Sequence, residues 1–229
     1  MKRKIIPLLA AILCFSLTAC GAEVAEPSAS SQPAAVESAA SEADQVQSNI
    51  LIAYFTMPED VDTTGVDAVA GASIVVSDGR VMGNVEYMAS IIQQTVGGDL
   101  FRIETVQQYP LDHDPLVDQA AAEQDADARP ELATHIENPD QYDVIFLGYP
   151  NWWGDMPQAL YTFLEEYDFS GKTIIPFCPH GGSGFSRTEE AIANLQPNAT
   201  VREDGLTISR NAVAGSAADV AAWAQGLGL

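Results

Sequence analysis

Residues 144–157 read VIFLGYPNWWGDMP. The first six, Val144 to Tyr149, are almost continuously apolar, the pattern of a strand covered on both faces by other elements. A turn-like run follows, bounded by Pro150 and Pro157 and carrying two adjacent tryptophans, Trp152 and Trp153. An indole left in water gives up the large apolar burial it can supply, so each ring needs either the core or a flat ligand to lie against.

Two more runs share the apolar pattern, Ile50 to Phe55 (ILIAYF) and Thr173 to Cys178 (TIIPFC). Two others are mixed. Leu100 to Val106 sets Phe101 and Ile103 against Arg102 and Glu104, and Thr200 to Ser209 mixes Val201, Leu206 and Ile208 with Arg202, Glu203 and Asp204. Mixed runs suit the exposed edges of a sheet. Between the strands, Val85, Met88, Ala89, Ile92 and Val96 keep helical spacing up to Gly97-Gly98, and Leu160, Phe163, Leu164 and Tyr167 do so after Pro157. Ser186 with Glu189 reads as a capping box for a helix closed by Pro197. Ser216 opens a last helix bearing Val220, Trp223 and Leu227, and a weaker Ala-rich helix covers Leu116 to Ala128.

Strand and helix thus alternate five times, which predicts an α/β fold: a three-layer sandwich with a parallel sheet wrapped by helices on both faces. With the mixed strands second and fifth, the five-stranded order is 2-1-3-4-5, and a ligand belongs at the switch point between strands one and three. The loops after Phe55, Tyr149 and Cys178 should converge there.

The ends bound the rest. Residues 1–20, MKRKIIPLLAAILCFSLTAC, place three basic residues before an apolar run too short for an ordinary spanning helix, and end in Leu-Thr-Ala-Cys. This predicts an export signal that resembles a bacterial lipoprotein signal, with Cys20 lipidated as the new N-terminus and the protein held outside the cytoplasm at the cell membrane. Residues 21–48 are rich in Ala, Ser, Glu, Gln and Pro, a composition that reads as a disordered tether, and residues 49–229 form one domain. Cys14 leaves with the signal and Cys20 is acylated, so Cys178 alone remains and no intramolecular disulfide is possible. The chain carries a formal charge of −22, and all three basic residues of the signal depart with it, so nucleic acid is a poor partner. The membrane is met through the lipid on Cys20 only.

Three stretches carry a family resemblance. ILIAYFT at 50–56 with Gly83-Asn84 resembles the phosphate loop of flavodoxins; GYPNWWGDMP at 148–157 and PFCPHGGSGFS at 176–186 resemble their two ring-binding loops. The resemblance spans about 49–229 and implies non-covalent FMN and electron transfer, as a carrier or a reductase, with donor and acceptor left open. It places Thr56, Gly83, Asn84 and Val85 at the phosphate, where a helix N-terminus offers free N–H groups and partial positive charge. Pro150, Asn151, Trp152, Trp153 and Gly154 then meet the ring. One of the two indoles stacks on it, worth about 1–3 kcal/mol by analogy with bases stacked on aromatic side chains, and Asn151 and Gly154 face its polar edge. Cys178, His180, Gly181, Gly182 and Ser183 clamp the other side, the glycines permitting close backbone approach.

Several positions stay open between roles. His180 is either a proton donor or hydrogen-bond partner of the ring, or a solvent-facing loop residue. Cys178 reads as a buried strand end rather than a nucleophile. The chain departs from the family by inserting residues 57–82 and by placing Val85 where a threonine is common; Thr63, Thr64 or Ser73 could fold back onto the phosphate, or the insert could be a surface excursion, with Ile74 to Val76 and Asp78-Gly79 forming a hairpin. Asp155 and the acidic surface predict a low-potential flavin. His113, between Asp112 and Asp114, reads as part of a polar turn, and no metal-ligand, P-loop or Ser/His/Asp pattern is present. The competing reading is a flavin-free binding or scaffold lipoprotein on the same fold.

Overall fold

The computed structural model describes residues 49–229; the signal, Cys20 and the tether lie outside the described residues. The elements run β1 (Ile50–Tyr54), β2 (Ala68–Val69), β3 (Ile74–Ser77), β4 (Arg80–Gly83), α1 (Asn84–Val96), β5 (Asp99–Arg102), α2 (His113–Asp125), β6 (Val144–Gly148), α3 (Gln158–Glu166), β7 (Thr173–His180), α4 (Thr188–Leu195), β8 (Thr200–Val201), β9 (Leu206–Ser209) and α5 (Ala217–Gly226).

The main sheet has the order β5-β1-β6-β7-β8, with β9 also on β7, and every pairing in it is parallel. This is the predicted 2-1-3-4-5 arrangement with the mixed strands at its edges. The pleat sends Leu51, Ala53 and Phe55 to one face, where they pack with residues of α2, α3 and α4, and Ile50, Ile52 and Tyr54 to the other, under α1 and α5. Both faces are dry, which is why these strands lack polar alternation.

The fifth strand departs from expectation by splitting. β8 pairs Thr200–Val201 with Thr173–Ile174, and β9 pairs Leu206–Ser209 with Phe177–His180. From Val201 to Leu206 the chain advances five residues while β7 advances three from Ile174 to Phe177, so the surplus bulges out of the ladder. Arg202 and Asp204 pair with each other in that bulge. Gly205 re-enters so tightly that a Cβ there would lie 2.7 Å from the Pro176 carbonyl oxygen.

Two helix starts are also corrected. α4 has no capping box: Ser186 takes a left-handed φ of 57° and its hydroxyl serves Asn151, so the helix begins at Thr188. α2 starts at His113, a turn before Leu116, because Pro115 is tolerated in a first turn where its missing N–H has no intrahelical acceptor. The predicted polar turn around His113 is therefore a helix start.

The insert folds as more than a hairpin. β2, β3 and β4 form a three-stranded antiparallel sheet, and Asp78 and Gly79, with φ of 52° and 74°, make the two-residue turn between β3 and β4. β4 then runs without a break into α1.

Candidate functional site

A cavity of about 220 Å³ opens at the C-terminal ends of β1, β6 and β7, the switch point of the sheet. Its walls come from four places: the segment after β1 with the insert, the start of α1, the loops after β6 and β7, and α2.

At the α1 end, Thr56, Ser73, Asn84 and Val85 line the cavity. Asn84 is 2% exposed, and neither its side-chain oxygen nor its nitrogen has a partner. Burying an unpaired amide costs about 1–3 kcal/mol, a cost that a polar ligand would remove. Two features differ from the predicted phosphate loop. The backbone N–H of Asn84 is not free, because it donates to Ser73 O at 2.8 Å; the unfilled donors are its side-chain amide and the N–H groups that follow in the first turn, which have no intrahelical acceptor. Arg80, the nearby cation, pairs with Glu86 in that turn. Gly83 lies behind the wall: a Cβ there would stand 2.0 Å from Thr56 Oγ1, so glycine lets the threonine sit where it does. Of the three hydroxyls in the insert named as phosphate candidates, Ser73 reaches the cavity and Thr63 and Thr64 do not.

The two tryptophans separate. Trp152 is half-buried and also lines the cavity, its ring 5.5 Å from Phe55 and 5.7 Å from Tyr109 in edge-on contacts. Trp153 is 62% exposed and lines the cavity, its Nε1 donating to Val117 O of α2 at 3.3 Å. Backbone bonds between Trp152 and Asp155 in both directions close the turn, with Trp153 at φ 55° and Gly154 at φ 79°. Positive φ on a residue this bulky is a conformational outlier. Gly154 shapes the turn and does not line the cavity.

Asn151 joins the β6 and β7 loops. Its N–H donates to Pro179 O, its Nδ2 to Gly184 O and Ser186 Oγ, and its Oδ1 accepts from the Gly154 N–H. Pro150, Asn151, His180 and Gly181 line the cavity, whereas Cys178, Gly182 and Ser183 do not. Cys178 is fully buried, with burial pushing its thiol pKa well up and its S–H directed at Pro179 O, so it is a strand residue without nucleophilic character. His180 Nδ1 accepts the Gly182 N–H at 2.9 Å, which assigns the ring's proton to Nε2.

Asp155, the carboxylate expected beside the ring, is engaged elsewhere: it accepts from the Met156 N–H and the Tyr161 hydroxyl and is not part of the cavity wall. The ionisable groups that line it besides His180 are Glu59, His113 and Arg210, none of which carries a motif in the sequence. Glu59 accepts from His113 Nδ1 at 2.8 Å, raising the His113 pKa, chiefly through that hydrogen bond.

Comparison with known proteins agrees with this geometry. A family model described as flavodoxin matches residues 73–226. A protein from Bacteroides eggerthii DSM 20697 described as a flavoprotein is 25% identical, covering 75% of this chain and 97% of that one with a TM-score of 0.53. Another from Bacteroides uniformis ATCC 8492, also described as a flavoprotein, is 24% identical over 74% and 97% with a TM-score of 0.52. A Lactobacillus acidophilus NCFM flavoprotein, solved in complex with FMN, is 17% identical over 72% and 95%, with a TM-score of 0.48. No curated protein matches the chain.

Proposed function

Because the chain belongs to the flavodoxin family, we propose that its sheet-end cavity binds FMN non-covalently and that the protein moves electrons through it while tethered outside the cytoplasmic membrane by a lipid on Cys20. The observation that carries the cofactor reading is the buried, unpartnered Asn84 amide in the wall of a cavity that also presents an exposed indole. One polar niche and one flat apolar wall match a ligand with a phosphate at one end and a planar ring at the other.

The residues divide by chemistry. Asn84, Thr56 and the first-turn N–H groups of α1 are suited to phosphate oxygens, without a lysine; hydrogen bonds to a charged group contribute about 1.5–3 kcal/mol each. Trp153 supplies a face for the ring, and the Asn151 network holds the two ring loops at a fixed spacing. His180 keeps a proton on Nε2 at the wall, a donor toward a ring carbonyl or nitrogen. FMN, when bound, supplies the one- and two-electron redox chemistry. The cavity, at about 220 Å³, is smaller than the roughly 300–1,000 Å³ of sites that enclose a ligand whole, so part of the ring would stay at the surface, where a redox partner meets it.

Titrating FMN with the purified protein tests the reading. Quenching of flavin fluorescence and a shifted absorbance band at micromolar protein are expected. No quenching at tens of micromolar would leave the flavin-free binding lipoprotein as the account of this fold.

A further inference from the structure

Arg210 stands at the cavity with an unpaired charge. Its backbone N–H donates to His180 O at 2.8 Å, fixing the residue at the end of β9, and its guanidinium carbon and Nε lie 4.0 and 3.9 Å from where a Cβ on Gly181 would be. Most other cations among the described residues are claimed: Arg80, Arg102, Arg129 and Arg202 are in ion pairs, and Lys172 bonds the carbonyls of Asp140 and Tyr142. Arg187 also lacks an ion pair but is not part of the cavity wall. Of the other ionisable groups lining the cavity, Glu59 and His113 pair with each other, and His180 takes the Gly182 N–H on its Nδ1. Arg210 is therefore the uncompensated charge of the site among the described residues.

Which end of a ligand it serves follows from the wall it shares. The polar niche of Thr56, Ser73 and Asn84 comes from the segment after β1, the insert and α1; Arg210 is bonded to the end of β7, beside His180 and Gly181. Resting on the proposal that FMN binds here, we propose that Arg210 is the charge partner of the reduced ring. The oxidised ring is neutral. Taking two electrons from an external reductant and one proton at N5 leaves it with one net negative charge, held over N1 and the adjacent C2 carbonyl. A cation on this wall gains little from the oxidised form and much from the reduced one, so it raises the potential of a flavin set in an acidic protein.

The test compares Arg210→Gln and Arg210→Lys with the unaltered chain, measuring oxidised FMN and riboflavin affinity by fluorescence quenching and the two-electron midpoint by titration with a low-potential chemical reductant. Arg210→Gln is expected to bind both oxidised flavins within about twofold of the unaltered chain, and reduced FMN about tenfold more weakly relative to the oxidised form, which lowers the midpoint by about 30 mV. Arg210→Lys, keeping the charge, should recover most of that shift. An unchanged midpoint in Arg210→Gln overturns the inference. So does a loss of oxidised FMN affinity with riboflavin unaffected, which would assign Arg210 to the phosphate. If the unaltered chain binds no FMN, the functional reading falls and this one with it; FMN binding with a midpoint indifferent to residue 210 removes this inference alone.

Discussion

The side-chain nitrogen of Asn151 donates to the hydroxyl of Ser186 at 2.9 Å, across the gap between the β6 and β7 loops. Ser186 is held at a left-handed φ of 57° in that position. With the bonds of Asn151 to Gly184 and Gly154, this contact sets the spacing of the two loops that flank the exposed indole.

Asn151→Ala removes three side-chain hydrogen bonds at a half-buried site. At about 1 kcal/mol apiece, less whatever water restores, the expected loss of stability is about 1–2 kcal/mol. Flavin affinity should fall with it, since the loops lose their registration. Urea denaturation and FMN quenching on the same preparation check both; unchanged quenching would show that the loop spacing does not govern the site.

Trp152→Ala and Trp153→Ala should fail differently. Trp152 packs against Phe55 and Tyr109, so truncating it is expected to cost about 3 kcal/mol of stability. Trp153 lies outside the core, and its truncation should leave the denaturation midpoint nearly unchanged while weakening FMN by about 1–3 kcal/mol, roughly 5- to 150-fold. The reverse pattern in paired denaturation and binding curves would exchange the two roles.

Gly83→Ala forces a methyl carbon into Thr56 Oγ1, 2.0 Å from its ideal position. Overpacking of this kind costs about 1–3 kcal/mol. Because the nearest obstruction is the hydroxyl, adding Thr56→Ala to Gly83→Ala should restore part of the loss. A double-mutant cycle measured by thermal unfolding reads the coupling directly, and strictly additive effects would mean the backbone, not the threonine, resists the methyl.

The Glu59 and His113 pair joins the segment after β1 to the start of α2. The His113 pKa is raised from its ordinary value of 6.5, mainly by the hydrogen bond to Glu59. The pair's contribution to stability is therefore complete below pH 6.5 and is lost as the pH rises through the folded-state value above it. The stability difference between the unaltered chain and His113→Gln should shrink from pH 5.5 to 8.5. Exposure of the imidazole keeps the effect small.

The sheet order was legible because each strand's exposure is written in its own residues: Ile50 to Tyr54 and Val144 to Gly148 are apolar throughout, while the edge strands keep charge. What is not local was not legible. The break between Val201 and Leu206 depends on the close approach of Gly205 to Pro176, and Ser186 gave up a helix cap to Asn151, thirty-five residues away. At the site, the loops named from the sequence do converge. Glu59, His113 and Arg210 were missed because they arrive from three distant segments without a shared spacing. For Arg210 the signal was scarcity, since cations are few enough in this chain that each one near a predicted strand end merits attention; Glu59, one of thirty-two acidic residues, had none.

Trp153 at φ 55° has a consequence for how this protein responds to selection. A left-handed backbone on a bulky L-residue costs about 1–2 kcal/mol, and Gly or Asn at the same place would relieve most of it. Laboratory evolution for heat resistance alone should thus discard the indole early, as Trp153→Gly or Trp153→Asn, and evolution under a cofactor-dependent screen should retain it. The residue found at position 153 after each regime would report, without any ligand being seen, which of the two demands had shaped the turn.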